Sequence, residues 1–141
     1  MEITASLLQT VAAGQNALFT GTIMRGKNCC SIVHSDGSGL INLKGITNQC
    51  RAKFKLTFGA NVGLPTGAAI EPITIAVAIN GEAVSASTMI SSPTATESYN
   101  NISTSIYLDV PAGCCYTISI KNIGANDVNI QNANLIVERV A

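Results

Sequence analysis

Five cysteines and one histidine are the side chains of this sequence best suited to chemistry. The cysteines fall as two adjacent pairs, Cys29 with Cys30 and Cys114 with Cys115, and Cys50 stands between the pairs. A structural zinc site usually takes its thiolates from C-x(2–4)-C spacing, which lets both sulfurs reach one ion. Neighbouring residues on a strand point to opposite faces, so each doublet offers one convenient ligand at most, and His34 adds a single nitrogen. No metal site is expected. Redox or nucleophilic use of a thiol needs an activating base or a C-x-x-C motif, and one histidine without that motif gives no such expectation. Structural roles remain. One is a disulfide between the doublets, or from Cys50 to one of them; the other is burial as small hydrophobic thiols. The odd count leaves at least one thiol free or joined to another chain.

His34 precedes Ser35 and Asp36, so the residue types of a catalytic triad stand in a row. Sequence neighbours on a hairpin do not adopt triad geometry, and a turn-stabilising or solvent-facing role is expected instead. The Gly37-Ser38-Gly39 stretch lacks the lysine and helix of a phosphate loop. The eight acidic residues form neither a Ca²⁺ loop nor a suggestive carboxylate pair for glycoside cleavage. Asn101-Ile102-Ser103 matches a glycosylation sequon, a feature that matters only in a eukaryotic secretory pathway. No catalytic residue and no cofactor follow, and the chain is expected not to be an enzyme.

The elements that position these residues are strands. Over residues 51–58, Ala52, Phe54, Leu56 and Phe58 alternate with Arg51, Lys53, Lys55 and Thr57, as a half-buried antiparallel strand requires. Residues 102–110 repeat that logic, and residues 115–121 show it with a mildly polar second face. Over residues 73–79, Ile73, Ile75, Val77 and Ile79 face a second row of Thr74, Ala76 and Ala78, so both faces are expected to be covered. Residues 133–140 are apolar on both faces and are expected in the middle of a sheet. Shorter strands are expected over residues 7–11, 17–22, 31–34, 40–43, 84–90 and 127–130. Asn80-Gly81 is a strong hairpin signal, because both central positions of a type I′ turn need positive φ. Residues 61–72 and 91–101 have the composition of long loops. Nine to ten short strands at this spacing predict a two-sheet antiparallel sandwich.

Composition bounds the class. The chain has 141 residues, enough for one core; 47% are hydrophobic and only 11% charged, with a formal net charge of zero. A surface so poor in charge fits burial against partner chains. Neutrality gives no reason to expect nucleic acid, and no run is long enough for a membrane span. The first residues, with Glu2 at their start, lack the pattern of a cleaved signal peptide. Synthesis in the cytoplasm without secretion through such a signal is therefore expected.

The order "QTVAAGQNALF", "SIVHSDGSGLINLKG", "RAKFKLTFGAN", "ITIAVAINGE", "STSIYLDVPAGCCYTISIKN" and "NANLIVERV" resembles the trimeric jelly rolls of the tumour necrosis factor and complement-subunit superfamily. It is similar to the C-terminal domain of collagen-like exosporium glycoproteins, and to small phage and prophage virion proteins of gut Firmicutes. The resemblance implies an all-β jelly roll over residues 16–141, with residues 1–15 as an N-terminal strand or anchor segment. It also implies a homotrimer, with Thr74, Ala76, Ala78, Ile136 and Val140 at the contact between copies. The function implied is that of a structural virion protein, a capsid decoration or head-fibre protein of a bacteriophage. Its partners would be capsid or other virion proteins. The alternative is a receptor-binding or adhesin module of the same fold on a tail fibre, spore or cell surface, with host-surface glycan as ligand.

Overall fold

The computed structural model describes residues 1–24 and 31–141. Within them run twelve strands: β1 (Glu2–Ala5), β2 (Gln9–Val11), β3 (Gly21–Met24), β4 (Ile32–His34), β5 (Ile41–Lys44), β6 (Arg51–Gly63), β7 (Ile73–Ile79), β8 (Glu82–Ala83), β9 (Met89–Ser91), β10 (Asn100–Pro111), β11 (Cys115–Asn122) and β12 (Val128–Arg139). They form two antiparallel sheets. The first has the order β10-β6-β12-β1-β3, with β2 also on β12; the second has the order β4-β5-β11-β7-β8, with β9 also on β7. From β6 onward the long strands alternate between the sheets, as a jelly roll requires. The expected two-sheet antiparallel sandwich is the observed fold.

Alternation builds the core. Ala52, Phe54, Leu56, Phe58, Ala60 and Val62 of β6 are buried, and Leu135 and Val137 of β12 meet them from the neighbouring strand. Phe19 stands edge-on to Phe58, with ring centroids 6.5 Å apart, the geometry that aromatic pairs prefer. β12 lies between β6 and β1, so the doubly apolar end segment does run through the middle of a sheet. It is also longer than expected. The two segments expected at residues 127–130 and 133–140 are one strand, bent by a register shift between Gln131 and Asn134 and by Asn132 at φ 55°. Asn tolerates that left-handed backbone better than most residues do.

Residues 1–15 supply β1 and β2, both hydrogen-bonded to β12. The strand expected over residues 84–90 is interrupted. After the Asn80-Gly81 turn (φ 52° and 87°), β8 lasts two residues, a 3₁₀ turn covers Ser85–Ser87, and β9 resumes the pairing with β7. Ser87 makes the interruption tolerable. Its fully buried hydroxyl accepts from the Val77 N–H at 2.9 Å and donates to the Val84 carbonyl at 2.7 Å. A side-chain oxygen thus replaces the missing ladder carbonyl.

β7 is covered on both faces, as its sequence suggests, and the cover is found within the chain. Ala76 and Ala78 have no exposed surface. Lys121 pairs with Ala76 and reaches the Gly81 carbonyl at 3.0 Å, so its aliphatic stem runs along this face past Ala78.

Candidate binding surface

At one end of the sandwich three loops meet: residues 64–72 after β6, residues 92–99 before β10, and residues 123–127 between β11 and β12. The first two are the segments whose composition marks them as loops; β6 and β10 take the outer residues of each. Their contacts are specific. The Glu97 N–H donates to the Leu64 carbonyl at 2.9 Å, and the Thr66 hydroxyl donates to the Glu97 carboxylate. Glu97 holds φ 60° to do so, a conformation that costs a side-chain-bearing residue about 1 kcal/mol. Tyr99 lies over β6 at Gly63, where an added Cβ would stand 3.0 Å from its ring. The Asn129 amide reaches the Tyr99 hydroxyl at 3.4 Å and accepts from the Thr10 hydroxyl at 2.8 Å.

The third loop hangs on Asn122, which is almost fully buried. Its Nδ2 donates to the Val11 carbonyl at 3.1 Å and to the Asn126 carbonyl at 2.8 Å, while its Oδ1 accepts from the Gly124 N–H at 3.0 Å. One side chain thus fixes both ends of the turn to β2. Asn126 continues the tie by donating to Glu71 at 2.7 Å. Between the first and third loops lies a cleft of about 390 Å³, lined by Pro65, Thr66, Gly67, Ala68, Ala69, Ala125, Asn126 and Asp127. Its walls are small side chains, one hydroxyl, one amide and one carboxylate. Such a lining suits recognition by hydrogen bonds. Loops held this firmly on a rigid scaffold are where binding residues concentrate.

Asn122 is the functional side chain that sequence reasoning missed, although a signal was present. It continues the inward register of Tyr116, Ile118 and Ile120, and a polar residue at that register needs internal partners.

The residues singled out from sequence lie elsewhere. His34 is buried and edge-on to Phe19, with centroids 6.4 Å apart. Its Nε2 donates to the Ser38 carbonyl at 2.9 Å, and Nδ1 has no partner. It stabilises the β4–β5 turn; the solvent-facing alternative does not hold, because its position alternates with Val33 and faces inward. Cys50, Cys114 and Cys115 are unbonded and exposed at the end opposite the three loops, so burial as small hydrophobes does not describe them. Cys50 and Cys114 sit on turns tied by the Ala112 N–H to Cys50 carbonyl bond at 3.0 Å and the Gly45 N–H to Cys114 carbonyl bond at 2.8 Å. Cys115 opens β11 opposite Lys44. Cys29 and Cys30 lie outside the described residues. Among the described residues, no cluster of three metal-ligating side chains occurs.

The residues expected at a trimer contact fall on two different sheets. Thr74, Ala76 and Ala78 belong to β7 in the second sheet; Ile136 belongs to β12 in the first, and Val140 directly follows that strand. Part of the outward face of the first sheet is built of short side chains. Thr57 and Ser105 meet at 3.3 Å and Asn61 and Asn101 at 3.2 Å, around Gly59 and Ser103. Lys55 lies 6.0 Å from the Tyr107 ring centroid.

Comparison with solved structures agrees with this architecture. The globular domain of zebrafish complement 1qA protein superposes with a TM-score of 0.63 at 8% identity, over 96% of this chain and 93% of that one. A likeness at that identity defines the jelly-roll class of the fold. A family 35 carbohydrate-binding module from Clostridium thermocellum (16% identity, 96% and 98% coverage) and the CBM22-1 xylan-binding domain from Paenibacillus barcinonensis (10%, 100% and 95%) each reach a TM-score of only 0.38. Superposition that loose bears on neither fold nor ligand. No protein-family model matches the chain, and no curated protein is similar to it in sequence.

Proposed function

We propose that this chain is a non-catalytic structural and binding module that works in many copies on a larger surface and meets its partner through the three-loop end. The observation that carries this reading is the mutual anchoring of those loops by Asn122, Glu97 and Tyr99. Preorganised loops lose little freedom on binding, and many modest contacts on one particle add through multivalency. A glycan array probed with the whole protein tests the ligand side. Signal that disappears in the Thr66→Ala/Asn126→Ala double variant supports the loop end; signal unchanged in that variant places recognition elsewhere.

The setting we propose is a bacteriophage virion, with the module as a capsid decoration or head-fibre protein. The sequence resemblance and the scarcity of charge support it. A receptor-binding tip is the alternative, favoured by the loop cleft. Cryo-electron microscopy of the source particle separates the two: density on the shell supports decoration, and density at a tail tip supports the alternative. We also propose a homotrimer that packs through the outward face of the first sheet, where short side chains let copies approach closely. Light scattering at micromolar concentration then reads three protomers, and Ser105→Arg lowers the mass to one. A monomeric wild type would refute the trimer.

A further inference from the structure

β10 ends the first sheet. β6 pairs with one side of it along its whole length, without a register shift, and no strand pairs with the other side. Three observations fix which backbone groups that free side carries. The Ala112 N–H, one step past the Pro111–Arg51 pair, donates to the Cys50 carbonyl at 3.0 Å. Bonded and non-bonded pairs alternate along an antiparallel ladder, so the even-numbered residues of β10 bond β6. Lys53, which stands opposite Asp109, directs its own groups to its far side, donating to the Ala141 carbonyl at 3.2 Å and accepting from the Val140 N–H at 2.8 Å. Side chains meet across the odd positions, Ser105 with Thr57 at 3.3 Å and Asn101 with Asn61 at 3.2 Å, as they do at non-bonded pairs, where the strands lie closer. Asn101, Ser103, Ser105, Tyr107 and Asp109 therefore each turn an N–H and a C=O away from the sheet. All five are exposed, and among the described residues no other backbone group bonds to theirs. Natural sheets blunt such an edge by shortness, a lysine, a proline, a bulge or a cover. The other sheet ends are short: β3 has four residues, β4 three and β8 two. β10 has twelve, with no lysine, no bulge, and proline only at its last position.

We propose that this edge is a self-pairing site: β10 of a second copy adds to it antiparallel, about a twofold axis at Ser105, and joins the first sheets of the two copies into one. A strand added to a sheet edge is held by main-chain bonds and selected by its side chains. Three features select a second copy as that strand. First, the register suits it. Centring the pair on Ser105 sets Asn101 opposite Asp109 of the second copy, Ser103 opposite its Tyr107, and Ser105 opposite its Ser105, so every outward N–H and C=O of the five residues finds a partner. A centre one residue further along sets Asn101 against Pro111, which has no N–H to donate. Second, the charge suits it. Asp109 is the one charged residue of β10, and here it faces an amide. The copies meet without like-charge repulsion, the self-complementarity that an isologous contact requires. Third, the core-side residues match. Ile102 comes opposite Leu108 of the second copy, and Thr104 opposite its Ile106. Thr104 and Ile106 are only half-buried in the single protomer, and cross-strand pairing covers more of both.

Pairing through the edge leaves the outward face of the sheet free, so the proposal does not depend on the trimer. Sedimentation velocity and residue-resolved amide exchange of the full chain, from micromolar to near-millimolar concentration, test it. The weight-average mass rises at least twofold across that range, whether protomers or trimers associate. At the dilute end the amides of Ile102, Thr104, Ile106 and Leu108 are protected, and those of Ser103, Ser105 and Tyr107 exchange freely. At the concentrated end the second group is protected as well. Asn101→Lys sets an ammonium opposite Asp109 at both ends of the pair and lowers the pair dissociation constant about fivefold; Asn101→Asp raises it about fivefold. Ser103→Pro removes an N–H that the β6 ladder does not use. It raises the constant about 10-fold or more and keeps the melting temperature close to that of the wild type. Thr104→Pro, which removes a ladder donor, lowers the melting temperature. The Asn101 variants keep the test independent of how well β10 accepts proline. Three results would each overturn the proposal: a mass that does not rise, association that leaves the Ser103, Ser105 and Tyr107 amides unprotected, or Asn101→Lys and Asn101→Asp shifting the constant in the same direction.

Discussion

Replacing Asn122 by aspartate preserves the shape of the side chain and changes what one terminal atom does. In the native protein that atom is Nδ2, donating to the carbonyls of Val11 and Asn126. In Asn122→Asp one oxygen still accepts from the Gly124 N–H, but the other faces two carbonyl oxygens. Ionised, it is a buried charge without compensation, a loss of about 3–5 kcal/mol. Protonated, it donates to one carbonyl and orphans only the other, a loss of about 1–2 kcal/mol. The difference of about 2–3 kcal/mol corresponds to about two pH units at 1.36 kcal/mol each. The variant's carboxyl is thereby raised in the folded state from about 3.9 towards about 6. The sign follows by linkage: the folded variant holds a proton that the unfolded chain releases. Its stability is therefore highest below about pH 4 and declines as pH rises through about 6. Ion-paired carboxylates behave in the opposite way. Urea unfolding of wild type and variant at about pH 4.5 and about pH 7.5, compared as differences, cancels every other titrating group. The gap widens by about 2 kcal/mol at the higher pH. A gap that is the same at both pH values would refute the placement of this amide against two carbonyls.

Ser87→Ala orphans the buried Val77 N–H and lowers stability by about 1–3 kcal/mol, measured by urea unfolding; a loss below experimental error would mean that β7 and β8 pair without the hydroxyl. Gly45→Ala places a Cβ against the Pro111 carbonyl oxygen, with that carbonyl's carbon 2.9 Å away and the Cys114 carbonyl 3.3 Å away. Backbone must move, and a loss of about 3 kcal/mol or more is expected as a lowered melting temperature. Cys50, Cys114 and Cys115 react with Ellman's reagent in the folded, reduced protein without denaturant, and serine at each position changes stability by less than about 0.5 kcal/mol.

What was legible in the sequence was set by the length of each uninterrupted alternation. β6, β7, β10 and β11 sustain a period of two over seven residues or more, and their cores follow directly. β12 reads as two segments because its bulge at Asn132 shifts the alternation at the point where the strand continues. β1 is four residues long, and its placement depends on the register of Ile3 with Leu135, a partner more than 130 residues away. Residues 84–90 read as strand because Val84, Met89 and Ile90 have strand-like composition; nothing local announces that Ser87 substitutes for a backbone carbonyl. The small second face of β7 has two physical solutions, a neighbouring chain or a lysine stem, and alternation alone does not separate them. At the loop end, composition marked two of the three loops. Their meeting rests on long-range bonds such as Glu97 N–H to the Leu64 carbonyl, which no local pattern encodes.

Backbone bonds hold the turns at both ends of the sandwich, and the ends differ in how far side chains add to them. At the thiol-bearing end the turns around Gly45, Cys50 and Cys114 are held to one another by backbone bonds, so their exposed side chains are free to change. At the loop end side chains add to backbone bonds such as Glu97 N–H to the Leu64 carbonyl and Ile123 N–H to the Thr74 carbonyl: Asn122 for residues 123–127, Glu97 and Thr66 for the other two loops, Tyr99 on Gly63. A residue there is either an anchor, whose loss lowers stability and displaces the loop, or a tip, whose loss leaves stability intact. Asn122 is an anchor by burial, and Asp127 is a tip by exposure. If the cleft recognises a ligand, Asp127→Ala weakens binding with the melting temperature unchanged, while Asn122→Leu weakens both together. Binding that follows melting temperature in every variant would instead describe loops that serve only to close the end of the sandwich.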